Sequence, residues 1–116
     1  MSDPDCLFCK IVAGEIPAEV VLRGDRVVAF RDIDPKAPTH VLVIPVEHLP
    51  DAAAVAADDP ALVGELIAAA AGIAAESGDA GGGYRMVFNT GADAGQSVHH
   101  AHLHVLAGRS MTWPPG

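Results

Sequence analysis

QSVHHAHLHVLAG, residues 96–108, places four of the chain's six histidines within six residues of an otherwise apolar stretch. Read as a strand over 97–106, it puts His100, His102 and His104 on one face, because successive side chains of a strand point to opposite sides. His99, Ala101, Leu103 and Val105 then take the other face. Alternate positions lie roughly 6.5–7 Å apart along a strand, close enough for neighbouring imidazoles to engage one small ligand. Burying three imidazoles needs a reason, so the row points to chemistry. A polar, solvent-facing strand edge is the plain alternative, and the strict alternation beside a glycine-rich loop weighs against it.

Working outward, YRMVFN at 84–89 predicts a strand joined to the histidine strand by the loop Thr90-Gly91-Ala92-Asp93-Ala94-Gly95-Gln96. VVL at 20–22 and VVAF at 27–30 flank Arg23-Gly24-Asp25-Arg26, a spacing and turn chemistry that predict a hairpin, and THVLVIP at 39–45 is a third strand stopped by Pro45. Asp59 followed by Pro60 suits the N-cap and first turn of a helix running to about Ser77, with Gly78 as its stop. Leu62, Val63, Leu66, Ile67, Ala70, Ile73 and Ala74 give that helix an apolar face. CLFCKIVA at 6–13 predicts a short helical piece on the core, and Gly81-Gly82-Gly83 a flexible connector. Five strands and one principal helix predict an α+β domain with an antiparallel meander.

The 116 residues are expected to form one domain spanning 1–116. The apolar runs are all shorter than a membrane span, and MSDPDCLFCK lacks the basic start and apolar core of a secretory signal, so the expected location is cytoplasmic. A formal charge of -8 opposes nucleic-acid polymers and anionic membrane surfaces, while a small phosphate ligand held by local groups stays compatible. Cys6 and Cys9 are too close in sequence to staple a fold and read as thiols or metal ligands.

Two chemistries suit the histidine row. Imidazoles two apart on a strand can chelate zinc and activate water. Alternatively, a neutral imidazole attacks phosphorus while its neighbours and backbone amides stabilise the phosphate oxygens, a role served by an ordinary pKa of about 6.5. GADAGQS at 91–97 tilts the reading to the second, since its glycines, amides and serine hydroxyl suit a phosphate.

His100-Ala101-His102-Leu103-His104-Val105-Leu106 resembles the signature of the histidine triad superfamily. GQSV before it, FRDIDPKAPTHVLVIP at 30–45 and the terminal WPPG at 113–116 are similar to its nucleotide-binding, purine nucleoside phosphoramidase branch, from about Cys6 onward. The resemblance implies a homodimer whose sheet continues across both subunits and a site for purine nucleoside monophosphates, AMP or GMP. It implies that His102 is the nucleophile, flanked by His100 and His104 and supported by His40. Asn89, Gly95 and Ser97 match phosphate-side residues, with Ser97 donating to the leaving group, and Asp32 matches the ribose carboxylate. Phe8 and Ile33 match the base pocket, although plain core packing is the simpler reading of either one alone. Trp113 matches a tail that reaches the neighbouring subunit's site, with packing as the alternative. The implied reaction is hydrolysis of the P–N bond of adenosine 5'-phosphoramidate or aminoacyl adenylates through a nucleotidyl-histidine, with no catalytic cofactor. A nucleotide-binding regulatory module and a dinucleoside polyphosphate hydrolase are the rival readings.

Cys6-Leu7-Phe8-Cys9 lies outside that chemistry. A close thiolate pair needs two more ligands to close a tetrahedral site, and resemblance to zinc-bearing bacterial members of the superfamily implies His48 and His100 with a structural zinc. Two incidental buried thiols are the alternative. His99 is assigned to the opposite face with no role.

Overall fold

The computed structural model describes residues 2–116. A short helix α1 (Leu7–Val12) precedes strands β1 (Val20–Arg23), β2 (Val27–Arg31) and β3 (Thr39–Pro45). Helices α2 (Ala52–Asp58) and α3 (Pro60–Glu76) follow, then β4 (Tyr84–Phe88) and β5 (Leu103–Ala107). All pairings are antiparallel, in the order β1-β2-β3-β5-β4. The first three strands are the expected meander, but β5 inserts between β3 and β4, so the last hairpin folds back to bring the histidine segment against the sheet's most buried strand.

Alternation along the strands gives the sheet two dry faces. Val27 and Ala29 of β2 and Val41 and Val43 of β3 face α2 and α3, packing with Val55, Leu62, Leu66, Ala70 and Ala74. Val28, Phe30, Leu42 and Ile44 face the other way, onto Phe8 and Ile11 of α1. Helix α3 starts as its sequence predicts, with the Asp59 carboxylate accepting from the Ala61 amide and Pro60 in the first turn, and Gly78 ends it at φ +78°. Its buried stripe is narrower than expected, because Ile67 points outward and is 43% exposed. Helix α2 is an addition to the expected elements; the Asp51 side chain caps it by accepting from the Ala54 amide.

The histidine strand is shorter than predicted. It begins at Leu103; residues 98–100 form a bend, and 101–102 lead from it into the strand, tied down by other partners. In the β3–β5 register Val43 faces Leu103, so a continued ladder would set Ala101 against Pro45, which has no N–H to give. The Ala101 amide donates instead to the Leu49 carbonyl at 2.7 Å. Among the described residues, no helix is long and apolar enough to cross a membrane.

Candidate active site and metal centre

On the α1 face a cleft of about 620 Å³ runs across the strands. Its floor follows the pairing register, His104 opposite Leu42 and Leu42 opposite Phe30, a span of roughly 10 Å over two strand spacings. Phe8, Asp32, Ile33, Ser97, His102 and His104 all line it. Ile33 is fully exposed at its mouth, whereas Phe8 is buried and meets Phe30 and His102 edge-on at ring distances of 5.3 and 5.1 Å. His40 lies behind His104. Asn89, Gly95 and Trp113 do not line the cleft of this chain, and Trp113 is 81% exposed.

Hydrogen bonds assign a tautomer to each neutral imidazole near the cleft. The His102 Nδ1–H donates to the His100 carbonyl at 2.7 Å, because a carbonyl only accepts, and this leaves Nε2 with a bare lone pair. The Lys36 backbone amide donates to His40 Nδ1 at 3.0 Å, so His40 carries its proton on Nε2. That N–H donates to His104 Nδ1 at 2.9 Å, which puts the His104 proton on Nε2. Two adjacent rings, 5.1 Å apart, therefore offer opposite functions: a lone pair on His102 and a donor on His104. Burial, reinforced by His102 and His40, pushes the His104 pKa down to about 4, and burial likewise lowers that of His40 against the pull of Asp32. Both shifts favour the neutral rings that the hydrogen-bond chain requires.

Asp32, His40 and His104 also offer ligand atoms near one another. Their arrangement fits a hydrogen-bond chain better than a cation site, because the Lys36 amide commits His40 to keep a proton on the nitrogen that would ligate. The expected carboxylate role of Asp32 is compatible with its placement: Oδ1 accepts from the Asp34 amide at 2.8 Å and Oδ2 lies 3.4 Å from His40 Nε2.

His100 departs from the row. Wholly buried, it donates from Nε2 to the Pro45 carbonyl at 2.8 Å, and its Nδ1 turns from the cleft to Cys6 Sγ at 3.4 Å and Cys9 Sγ at 3.5 Å. His48 Nδ1 completes the group, 3.4 Å from Cys9 Sγ and 3.2 Å from His100 Nδ1. A tetrahedral zinc with ordinary bond lengths requires edges of about 3.6 Å between sulfur and nitrogen and about 3.3 Å between nitrogens. Three sulfur–nitrogen edges of 3.4–3.5 Å and a nitrogen–nitrogen edge of 3.2 Å lie close to those values, so the donor set fits zinc. The outer contacts fit as well: the Cys9 amide donates to Cys6 Sγ, the Asp3 amide donates to Cys9 Sγ, and the Asp3 carboxylate lies 3.9 Å from His48 Nε2. Burial pushes the Cys9 thiol pKa up.

Gln96, given no role from sequence, holds the loop before the histidines. Its side-chain amide donates to the Pro50 and Val98 carbonyls at 2.7 and 3.1 Å, while its Oε1 accepts from the Gly91 amide at 2.9 Å. Its nearly complete burial follows from packing against the segment after β3, which sequence spacing does not reveal.

The model of the HIT domain matches residues 13–111. The chain belongs to the HIT family. Among HIT proteins it is 47% identical over 112 residues to a HIT-like protein of Synechocystis, covering 97% of each chain. It is 44% identical over 107 residues to the purine nucleoside phosphoramidase of Escherichia coli, covering 92% of this chain and 90% of that one. Its fold superposes on the HIT family hydrolase of Legionella pneumophila with a TM-score of 0.92 at 50% identity, over 97% of this chain and all of the other. A histidine triad protein of Clostridium difficile gives 0.91 at 40% identity, with 97% of each covered. The chain is thus a HIT protein with hydrolase relatives. Cys6 and Cys9 precede the matched HIT residues, so two of the four candidate metal ligands lie outside the family match.

Proposed function

We propose that this HIT protein hydrolyses the P–N bond of purine nucleoside phosphoramidates, with His102 as the nucleophile. The observation that carries this reading is the opposed pair of tautomers, a lone pair on His102 Nε2 beside a donor on His104 Nε2, at one end of an apolar cleft. The phosphate lies at the histidines, the ribose diol at Asp32, and the base against Phe8 and Ile33. His102 Nε2 bonds to phosphorus as the P–N bond breaks; Ser97 protonates the departing amine and regains its proton from solvent. His102 becomes an imidazolium whose Nδ1–H bond to the His100 carbonyl stabilises the new charge. The His104 N–H bonds a non-bridging oxygen. Water then attacks phosphorus and gives up a proton to solvent as the His102 Nε2–P bond breaks; the nucleoside monophosphate leaves with the new P–O bond, and His102 returns neutral with its Nε2 lone pair restored.

Asn89 and Gly95 serve the phosphate side on movement of their loop, and the exposed Trp113 serves a neighbouring copy's cleft in a homodimer whose sheet continues across the open edge of β4. Cys6, Cys9, His48 and His100 hold a structural zinc that supplies charge for the thiolates and no chemistry at phosphorus. Mass spectrometry of a reaction with adenosine 5'-phosphoramidate quenched in denaturant at alkaline pH, where a phosphorus–imidazole bond survives, is expected to find AMP on His102. Turnover without that adduct, or turnover retained by His102→Ala, overturns the covalent step.

A further inference from the structure

We propose that the centre formed by Cys6, Cys9, His48 and His100 is a positioning device for His102, acting through His100 and Phe8. The importance of His102 rests on the phosphoramidase reading above; the coupling itself rests on geometry. His100 is held at both ring nitrogens, by the Pro45 carbonyl on one side and by the thiols and His48 on the other. A ring fixed at both ends fixes its own peptide unit, and the carbonyl of that unit is the group that sets the His102 tautomer.

Phe8 supplies the second contact. It lies between the two cysteines in sequence, and its ring stands at 90° to that of His102 and at 67° to that of His100. His102 is therefore braced at Nδ1 and at its ring by two residues anchored in the same centre.

Backbone structure alone does not hold either anchor. Helix α1 has six residues, far below the length at which a helix persists by itself. Residues 98–102 lie outside the β5 ladder, and their backbone link to the chain after β3 is the Ala101-to-Leu49 bond. Beside the apolar packing of Phe8 and Ile11 on the sheet, the side-chain ligands that converge on the centre, drawn from α1, from the segment after β3 and from the histidine bend, tie these pieces to one another. A displacement of about 1 Å at the attacking nitrogen is enough to lower turnover by roughly 100-fold.

Imidazole nitrogen NMR of zinc-loaded, ligand-free protein tests the coupling without any substrate. In the loaded wild type His102 is expected as a single tautomer, protonated at Nδ1. His48, which does not line the cleft, is changed first: His48→Ala is expected to lose zinc, give His102 averaged tautomers, and lower kcat by roughly 10–100-fold with KM unchanged. His48→Cys restores a four-ligand set and is expected to recover both readouts. Phe8→Leu keeps all four ligands, and there the His102 resonances are expected to shift and broaden at full zinc content. A change in one arm alone retains the proposal for that contact. Wild-type His102 resonances in folded, zinc-free His48→Ala and in loaded Phe8→Leu overturn it, and if His48→Ala does not fold, Phe8→Leu decides. Failure to cleave phosphoramidates leaves these resonances untouched and counts against the functional reading only.

Discussion

Metal removal should cost this protein a large and calculable part of its stability. The ligand edges measured between Cys6, Cys9, His48 and His100 already match tetrahedral zinc, so little rearrangement opposes binding. With free zinc at about 1,000 times its dissociation constant, binding to the native state alone adds about 4 kcal/mol. Unfolding 116 residues at about 2.1 cal/mol/K each carries an entropy of about 0.24 kcal/mol/K, so chelation should lower Tm by about 17 °C. Differential scanning calorimetry with and without a chelator, together with elemental analysis of protein purified without one, measures both quantities. About one equivalent of zinc per chain is expected, and Cys9→Ser should reproduce the chelated Tm with no further response to chelator. A Tm that moves by less than about 2 °C, in protein holding under about 0.1 equivalent of metal, would refute the zinc assignment and leave two buried thiols in its place.

The lowered pKa of His104 has a defined pH consequence. Between its ordinary value near 6.5 and its folded value of about 4, the unfolded chain binds a proton that the folded one does not, so the stability conferred by the neutral ring is fully present above pH 6.5 and is lost as pH falls toward 4. Denaturation series across that window should show a shallower acid loss in His104→Gln than in wild type, and equal slopes would remove the buried neutral histidine from the explanation. Gln96→Ala strands the Gly91 amide and two carbonyls, and should cost roughly 1–3 kcal/mol in urea denaturation and raise KM with His102 chemistry intact. A loss below about 0.5 kcal/mol would mean that the loop is held by something else.

The sequence by itself determined the local elements and the chemical character of the site. Runs of β-branched and aromatic residues bounded by turn residues marked β2 and β3, Asp59-Pro60 and Gly78 marked the ends of α3, and the spacing of His100, His102 and His104 marked the candidate functional segment, because these signals depend on neighbours a few residues away. What each histidine does was decided by tertiary structure. Alternation alone makes the three equivalent, yet Pro45 cannot extend the ladder, so the chain bends before Leu103, and His100 turns to the thiols while His102 and His104 keep the cleft. The tautomers that separate an attacking lone pair from a donating N–H come from Lys36, His40 and the His100 carbonyl, partners fixed by the insertion of β5 beside β3. The same insertion brings His100 beside His48 across 52 positions of sequence. Contacts of that kind are set by strand order and by the close of the core around it, which a linear pattern of residues does not encode.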